Sequence, residues 1–326
     1  MEEATCNHVK SQRGNSQIAS KICRMKSRCM KILAAIFSRL LFAVHGLFMV
    51  LLTVLFTQDD YYWILLCGIF LLFIEMIVTL KITKNGEWKW FSPVVFLYLC
   101  TIIPSIFVME FTNLQVRMNV TNETDTECTE SFSKEFSKLV QGMEELTILV
   151  LIIGRWLMPR GKMNRDQLAQ LLLMYLALGA DILDILELMK EPSVKTNETV
   201  TVVGLCLFSW AILQFTLVLT QSLSYSSPDA EVYGQLRSSS AVKNCVMSIC
   251  CTTEVWSVMI AVGMQDGPFL IYRLYLVTRE GVFNDSMMFF ISKNILSVII
   301  QVYRVVVFLG NQQRRRKKLK QSMNLE

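Results

Sequence analysis

The sequence has few of the residues that build catalytic centres and soluble surfaces. It contains only two histidines in 326 residues, His8 and His45, and 18% of its residues are charged. A soluble domain has about 25% charged residues. No histidine and cysteine cluster has the spacing of a metal site, and the patterns HExxH, GxSxG, GxGxxG and the P-loop are absent. We therefore expect no enzymatic activity, no cofactor and no bound metal.

Cysteine is present, but not in the arrangement of a disulfide framework. Most of the ten cysteines lie in apolar blocks or beside bases, where free thiols behave as small hydrophobic groups. Only Cys128 falls in a long polar stretch, and it has no obvious partner. The net charge of +5 does not indicate a nucleic-acid partner, because membrane proteins collect Lys and Arg on their cytoplasmic side.

Apolar residues make up 53% of the chain, and the mean hydropathy is +0.42. They occur in blocks of about 17–25 residues, the length that a helix needs to cross roughly 30 Å of hydrocarbon. The pattern predicts an all-α, polytopic membrane protein with about eight transmembrane helices embedded in the lipid bilayer. The fourth span is the weakest, because its apolar run is short and ends at Arg155. The expected spans are Leu40–Phe56, Tyr62–Leu80, Pro93–Glu110, Leu146–Met158, Leu168–Leu188, Val200–Thr220, Cys245–Gly263 and Met287–Gly310.

Bases flank both ends of the apolar region, in Lys21–Lys31 and in Arg314–Lys318. Such bases favour the cytoplasm, so both termini are expected there. The chain then divides into a cytoplasmic basic segment (1–38), a transmembrane helical domain (39–310) and a cytoplasmic basic tail (311–326). Within the first part, Lys21–Phe37 has the pattern of an amphipathic helix lying on anionic lipid, although an ordinary basic flank has the same composition.

Glycosylation triplets begin at Asn119 and Asn122, in the polar stretch between the third and fourth spans. The expected topology places this stretch outside the cytoplasm, in a loop long enough to carry a glycan. We therefore expect a glycoprotein of the secretory pathway, located in the plasma membrane. Triplets at Asn197 and Asn284 lie close to spans, and we do not expect them to be modified.

Ionisable residues inside the apolar blocks are the candidate functional site. Each costs about 2.5–3.5 kcal/mol at the centre of a membrane helix, so each should face other helices and find a partner. Depth along the helices pairs Asp181 with Lys293, about 9 Å from the outer ends, and Glu75 with Arg304, about 8–9 Å from the inner ends. Glu254 has no base of matching depth. The complete candidate network is Glu75, Asp181, Asp184, Glu254, Lys293 and Arg304.

The segment ADILDILELMKEP spaces Asp181, Asp184 and Glu187 three residues apart, on one face of a helix. Two interpretations of the network are open. The charges form a cation or proton pathway past Glu254, or they form ion pairs that fix helix register around a protonated Glu254.

A second unusual segment is Gln265–Val277, which is apolar but too short to span. The dipeptide Gly267-Pro268 is expected to break the chain at its start. The segment is expected either to re-enter the membrane or to lie on its outer surface. Arg273 would then bring a base near Asp266 or near the acids of the fifth span.

Several blocks in this order resemble the transmembrane protein 26 family, from about Arg39 to Leu309. They are KWFSPVVFLYLCTIIPS, LIIGRWLMP followed by RDQLAQLLLM, GADILDILE, MQDGPFLIYRL and FFISKNILSVIIQVYRVVV. The resemblance implies a multi-pass membrane protein and brings no catalytic residue with it. We expect an interaction, receptor-like or scaffold protein with protein partners; the alternative is a transporter, channel or lipid-moving protein that uses Glu254, Asp181 and Lys293.

Overall fold

The computed structural model describes most of the chain. The described residues are 16–82, 91–122, 127–158, 165–189, 191, 194, 197–217, 258–283 and 285–323. Most of the expected seventh span, Cys245–Gly263, lies outside them, as do Glu254 and Asn284. Within the described residues the chain is almost entirely helical and contains no strand. The all-α fold class is therefore confirmed.

Eight α-helices occur in the described part of the chain. They are α1 (Ser16–Thr57), α2 (Leu66–Ile82), α3 (Pro93–Asn122), α4 (Glu127–Leu157), α5 (Arg165–Leu188), α6 (Glu198–Ile212), α7 (Gly267–Arg279) and α8 (Asp285–Met323). Three short turns join or extend them. They are the 3₁₀ turns Asp60–Leu65 before α2 and Leu213–Thr216 after α6, and the π-helical turn Val262–Asp266 before α7.

Five helical stretches are long and apolar enough to cross a membrane. They are Ile32–Thr57, Asp60–Ile82, Pro93–Met118, Glu198–Thr216 and Asp285–Asn311, which correspond to the first, second, third, sixth and eighth expected spans. The fourth and fifth expected spans are helical but are not among these five. Polar residues fill the first half of α4, and α5 carries three acids near its end. The number of spans and the side on which the termini lie stay predictions.

The polar stretch between the third and fourth expected spans, predicted as a long loop, is instead helical at its described residues 111–122 and 127–145. α3 continues to Asn122 and α4 begins at Glu127, so the two glycosylation triplets begin in the last turn of α3. Hydropathy marks where a helix is apolar, whereas its end depends on tertiary contacts of its polar part. One such contact is the hydrogen bond that Ser137 Oγ of α4 donates to Asn113 Oδ1 of α3 at 2.7 Å.

The chain divides into two compact units, Met1–Gly179 and Ala180–Glu326, with the boundary inside α5. In unit 1, α1 contacts α2, α3 and α4, and α3 contacts α2 and α4. Phe42 and Tyr98 are fully buried at its centre, with ring centroids 4.7 Å apart. A Cβ atom on Gly154 would lie 2.2 Å from Cζ of Phe42, so glycine lets α4 approach α1 closely.

Unit 2 is built around α7, which contacts both α6 and α8. Its apolar core includes the fully buried side chains of Phe208, Phe269 and Leu276. The π-helical turn contacts α6, α7 and α8, so its side chains lie between three helices. This position places polar residues of the turn inside the unit.

The prediction that Gly267-Pro268 breaks the chain was wrong, because the π-helical turn runs directly into α7. Pro268 lies in the first turn of α7, where a missing N–H group costs no helical hydrogen bond. A Cβ atom on Gly267 would lie 2.7 Å from the carbonyl oxygen of Val262. Glycine therefore allows the π-helical turn and the proline to follow one another without a break.

Candidate functional site

The acids of α5 separate into buried and exposed residues. Asp181 and Asp184 are buried in unit 2, whereas Glu187 is exposed. Because the two aspartates are three residues apart, they lie on the same face of α5. Of the three acids spaced along this face of α5, Asp181 and Asp184 therefore lie in the protein interior, and each of them contacts a base.

Asp181 contacts Lys293 of α8, the pairing that equal depth predicts. The Lys293 ammonium group donates to Oδ1 of Asp181, and Gln265 Nε2 from the π-helical turn donates to Oδ2 at 2.8 Å. Nζ of Lys293 also lies 5.6 Å from the centre of the Phe290 ring. The Lys293 side chain is 34% exposed, so this base is accessible at one edge of the cluster.

Asp184 contacts Arg273 of α7, which agrees with the expectation that Arg273 approaches the acids of the fifth span. Both Nε, at 3.2 Å, and Nη2 of Arg273 donate to Oδ2 of Asp184. The Arg273 side chain is fully buried, and its guanidinium carbon lies 4.9 Å from the centre of the Phe290 ring and 5.7 Å from that of Phe269. Aromatic faces stabilise a buried guanidinium by cation–π attraction.

A third carboxyl group, that of Asp266, lies in the π-helical turn and is only 8% exposed. Ser297 Oγ of α8 donates to its Oδ2 at 2.6 Å. We name the set Asp181, Asp184, Asp266, Arg273 and Lys293 the unit 2 charge cluster. It contains three acids and two bases, and the sequence prediction did not include Asp266 in the network.

Glu75 of unit 1 is paired with Arg39, a base that the sequence prediction did not include. Its predicted partner Arg304 belongs to unit 2, and that pairing stays a prediction. Nε and Nη2 of Arg39 donate to the two carboxylate oxygens of Glu75 at 3.0 and 3.1 Å, and Thr79 donates to Oε1 at 2.5 Å. The described contacts therefore occupy both oxygens of Glu75. Arg304 is exposed on α8, where its Nη1 donates to Gln301 at 3.4 Å.

Sequence reasoning missed Arg39 because the residue stands directly before the expected first span. The apolar helical stretch begins earlier, at Ile32, so Arg39 lies inside it. If the first expected span had been started at Ile32, Arg39 would have been counted as a base inside it. Comparison of depths would then have offered both Arg39 and Arg304 as partners for Glu75, and the sequence alone does not choose between them.

Arg155, at which the apolar run of the fourth expected span ends, is a further buried base. It is fully buried in unit 1, and its Nε and Nη2 lie 3.3 and 3.2 Å from the hydroxyl oxygen of Tyr175. α4 is longer than the expected fourth span, and Tyr175 of α5 reaches its last turn. No sequence pattern signals this contact.

The second histidine, His45, lies in the core of unit 1. Its Nδ1 is 2.9 Å from the hydroxyl oxygen of Tyr98, and the histidine is 5% exposed. Among the described residues, no group of three or more His, Cys, Asp or Glu side chains is arranged to hold a metal ion. In the described part of the chain, the candidate site therefore consists of paired charged side chains and not of metal ligands.

Long apolar helices that carry buried ion pairs define a multi-pass helical membrane protein. A family profile with the description Transmembrane protein 26 matches residues 29–304, most of the chain. The chain therefore belongs to the transmembrane protein 26 family, as the resemblance of its blocks predicts. The match begins ten residues before Arg39, so the family includes part of the basic N-terminal segment. No solved structure matches the chain.

Proposed function

We propose that this membrane protein has no enzymatic activity and acts through contacts with other proteins, as a receptor-like or scaffold protein. The supporting observation is the pairing of buried acids and bases inside each unit: Arg39 with Glu75, Arg273 with Asp184, and Lys293 with Asp181. Breaking a buried ion pair strands a charge, so such pairs restrict which helices pack together and in which register. Helices held in this way present their connecting loops to partners in a constant arrangement.

The proposed topology has eight spans with both termini in the cytoplasm, and the protein lies in the plasma membrane after passage through the secretory pathway. Bases at both ends of the chain support it. In this arrangement Asn119 and Asn122 face outwards and carry glycans, and the basic segment 1–38 contacts anionic lipid.

The alternative function is transport of a cation, a proton or a lipid. It is favoured by the unit 2 charge cluster, in which acids outnumber bases and Lys293 remains accessible. Intramembrane ionisable groups commonly mark ion pathways. Glu254, which lies outside the described residues, belongs to this alternative as the acid without a depth-matched base.

Reconstitution of the purified protein into liposomes separates the two functions. Proton, alkali-cation and lipid movement would be measured under imposed gradients, against protein-free liposomes. The interaction function predicts no movement above the protein-free background. Movement by the wild type that Glu254→Gln abolishes, with folding intact, would establish the transport function instead, because an amide cannot ionise.

A further inference from the structure

The acids and bases of the unit 2 charge cluster do not balance. Lys293 contacts Asp181, and Arg273 contacts Asp184, so both bases have an acid of their own. Asp266 is the remaining acid, and it is nine-tenths buried. An ionised carboxylate in such a position is costly unless a positive charge or several hydrogen bonds compensate it.

Neither base donates a hydrogen bond to Asp266 in the described structure. Arg273 uses Nε and Nη2 on Asp184, and its fully buried Nη1 has no hydrogen-bond partner among the described residues. The hydrogen bond described for Asp266 comes from Ser297, a neutral hydroxyl group. The guanidinium is therefore directed at Asp184, and Asp266 has no salt bridge to any described residue, although an N–H group of Arg273 without a described partner is available in the same cluster.

The missing positive charge is best supplied by a proton. In the part of the chain that the structure describes, no group of three or more His, Cys, Asp or Glu side chains is arranged to hold a metal ion, so the several ligands that a metal cation needs are not assembled around Asp266. A proton instead binds covalently to the carboxyl group and needs no additional ligands. With Ser297 donating to Oδ2, the proton can be carried by Oδ1.

The direction of the pKa shift of Asp266 agrees with its burial and with the lack of a salt bridge to a described residue. Asp266 lies outside the five apolar stretches, and burial raises the pKa of its carboxyl group above the ordinary value. The Ser297 hydrogen bond and the charges of Lys293 and Arg273 oppose this rise, whereas Asp181 reinforces it. Asp184, the other charged group facing the cluster from α5, is occupied by Arg273.

We propose that Asp266 is a proton-binding site, in which the folded protein holds a protonated carboxyl group beside the Ser297 hydroxyl at neutral pH. Loss of this proton places a third negative charge next to Asp181. A group that is easier to protonate in the folded state stabilises the fold at low pH, and this contribution is lost as the pH rises through the folded-state pKa. Unit 2 should therefore become less stable as the solution becomes alkaline.

Infrared spectroscopy of the full-length protein in detergent tests the proton directly. At neutral pH the wild type should show the carbonyl stretch of a buried protonated carboxylic acid, and the difference spectrum between the wild type and Asp266→Asn should contain the contribution of one such group. Asp285→Asn is the matched control, because Asp285 is an exposed aspartate at the start of α8, and its difference spectrum should lack this contribution. Equal intensity of the band in the wild type and in Asp266→Asn would overturn the proposal.

Thermal unfolding gives a second, independent test. Between about pH 6 and about pH 9 the midpoint of the wild type and of Asp285→Asn should fall, and that of Asp266→Asn should fall clearly less. Because asparagine has the shape of the protonated acid, a variant that fails to fold would also contradict the proposal. A midpoint that responds to sodium but not to choline in the wild type, and to neither in Asp266→Asn, would indicate a metal cation in place of the proton.

Discussion

At the scale of single residues, the geometry of an ion pair decides how strongly it holds two helices together. Arg39 and Glu75 form a bidentate pair in which two N–H groups meet two oxygens, and both side chains are buried. Lys293 is a point charge with a partly exposed side chain. Bidentate, desolvated pairs are the stronger class. Loss of Glu75 should therefore be more damaging than loss of Asp181.

The first prediction concerns Glu75→Gln, which strands the buried Arg39 guanidinium. We expect a loss of about 3–5 kcal/mol in unfolding free energy, the usual cost of an uncompensated buried charge. Thermal unfolding in detergent and the amount of protein at the cell surface measure it. Glu135→Gln is the control, since Glu135 is exposed on α4. Equal unfolding midpoints for the two variants would contradict the importance of the Arg39 pair.

The second prediction is a double-mutant cycle across the Asp181–Lys293 contact. Asp181→Asn and Lys293→Met should each reduce the folded fraction, and the double variant should recover part of the loss. For two groups in direct contact we expect a coupling of about 0.5–3 kcal/mol. The lower part of that range fits best, because Lys293 is one-third exposed. Strictly additive losses would show that the two side chains are energetically independent.

At the scale of helices, close approach of backbones shapes unit 1. Gly154 of α4 faces the ring of Phe42 on α1, whereas a Cβ atom on Gly142, earlier in the same helix, would meet nothing within 4 Å. Phe42 is fully buried and contacts Tyr98, so its ring has little room to move. The same helix thus contains one glycine that packing requires and one that it does not.

The third prediction compares these two glycines. Gly154→Ala should destabilise the protein by about 1–3 kcal/mol through overpacking against Phe42. Gly142→Ala should stabilise it by about 0.4–1 kcal/mol, because alanine loses less backbone entropy when a helix forms. Unfolding midpoints of the two single variants measure both effects. A neutral Gly154→Ala would mean that α4 shifts away from α1 at little cost.

At the scale of the whole molecule, the orientation in the membrane determines which surfaces reach partners. Bases at both ends of the chain favour cytoplasmic termini, and an even number of spans is needed to place both there. The described structure contributes five apolar helical stretches to this count. It also places Asn119 and Asn122, the first residues of the two glycosylation triplets, in the last turn of α3.

The fourth prediction tests this orientation in cells. Glycosidase should lower the apparent mass of the wild type and leave the double variant Asn119→Gln/Asn122→Gln unchanged, because these triplets are expected outside. Epitopes at either terminus should bind antibody only after the cells are permeabilised. Staining of a terminus on intact cells would refute the proposed topology.

The sequence by itself determined the class of protein and part of the site. Apolar blocks of membrane-spanning length identify the class, because an uninterrupted hydrophobic helix of that length has few other stable environments. Depth along a helix is also available from sequence, since each residue adds 1.5 Å. That is why Asp181 and Lys293 were paired correctly. The family resemblance, carried by several blocks in order, is confirmed by the profile match.

Only the tertiary structure decided which helices are neighbours and which faces meet. Depth alone offered Arg304 as the base for Glu75, whereas the packing of α1 against α2 brings Arg39 to it. Arg155 is buried in contact with Tyr175, and Asp266, the third acid of the unit 2 charge cluster, lies in the π-helical turn. Rise per residue is a local property of the backbone. Rotation of a helix about its axis and the choice of its neighbours arise from the summed packing of residues far apart in the chain.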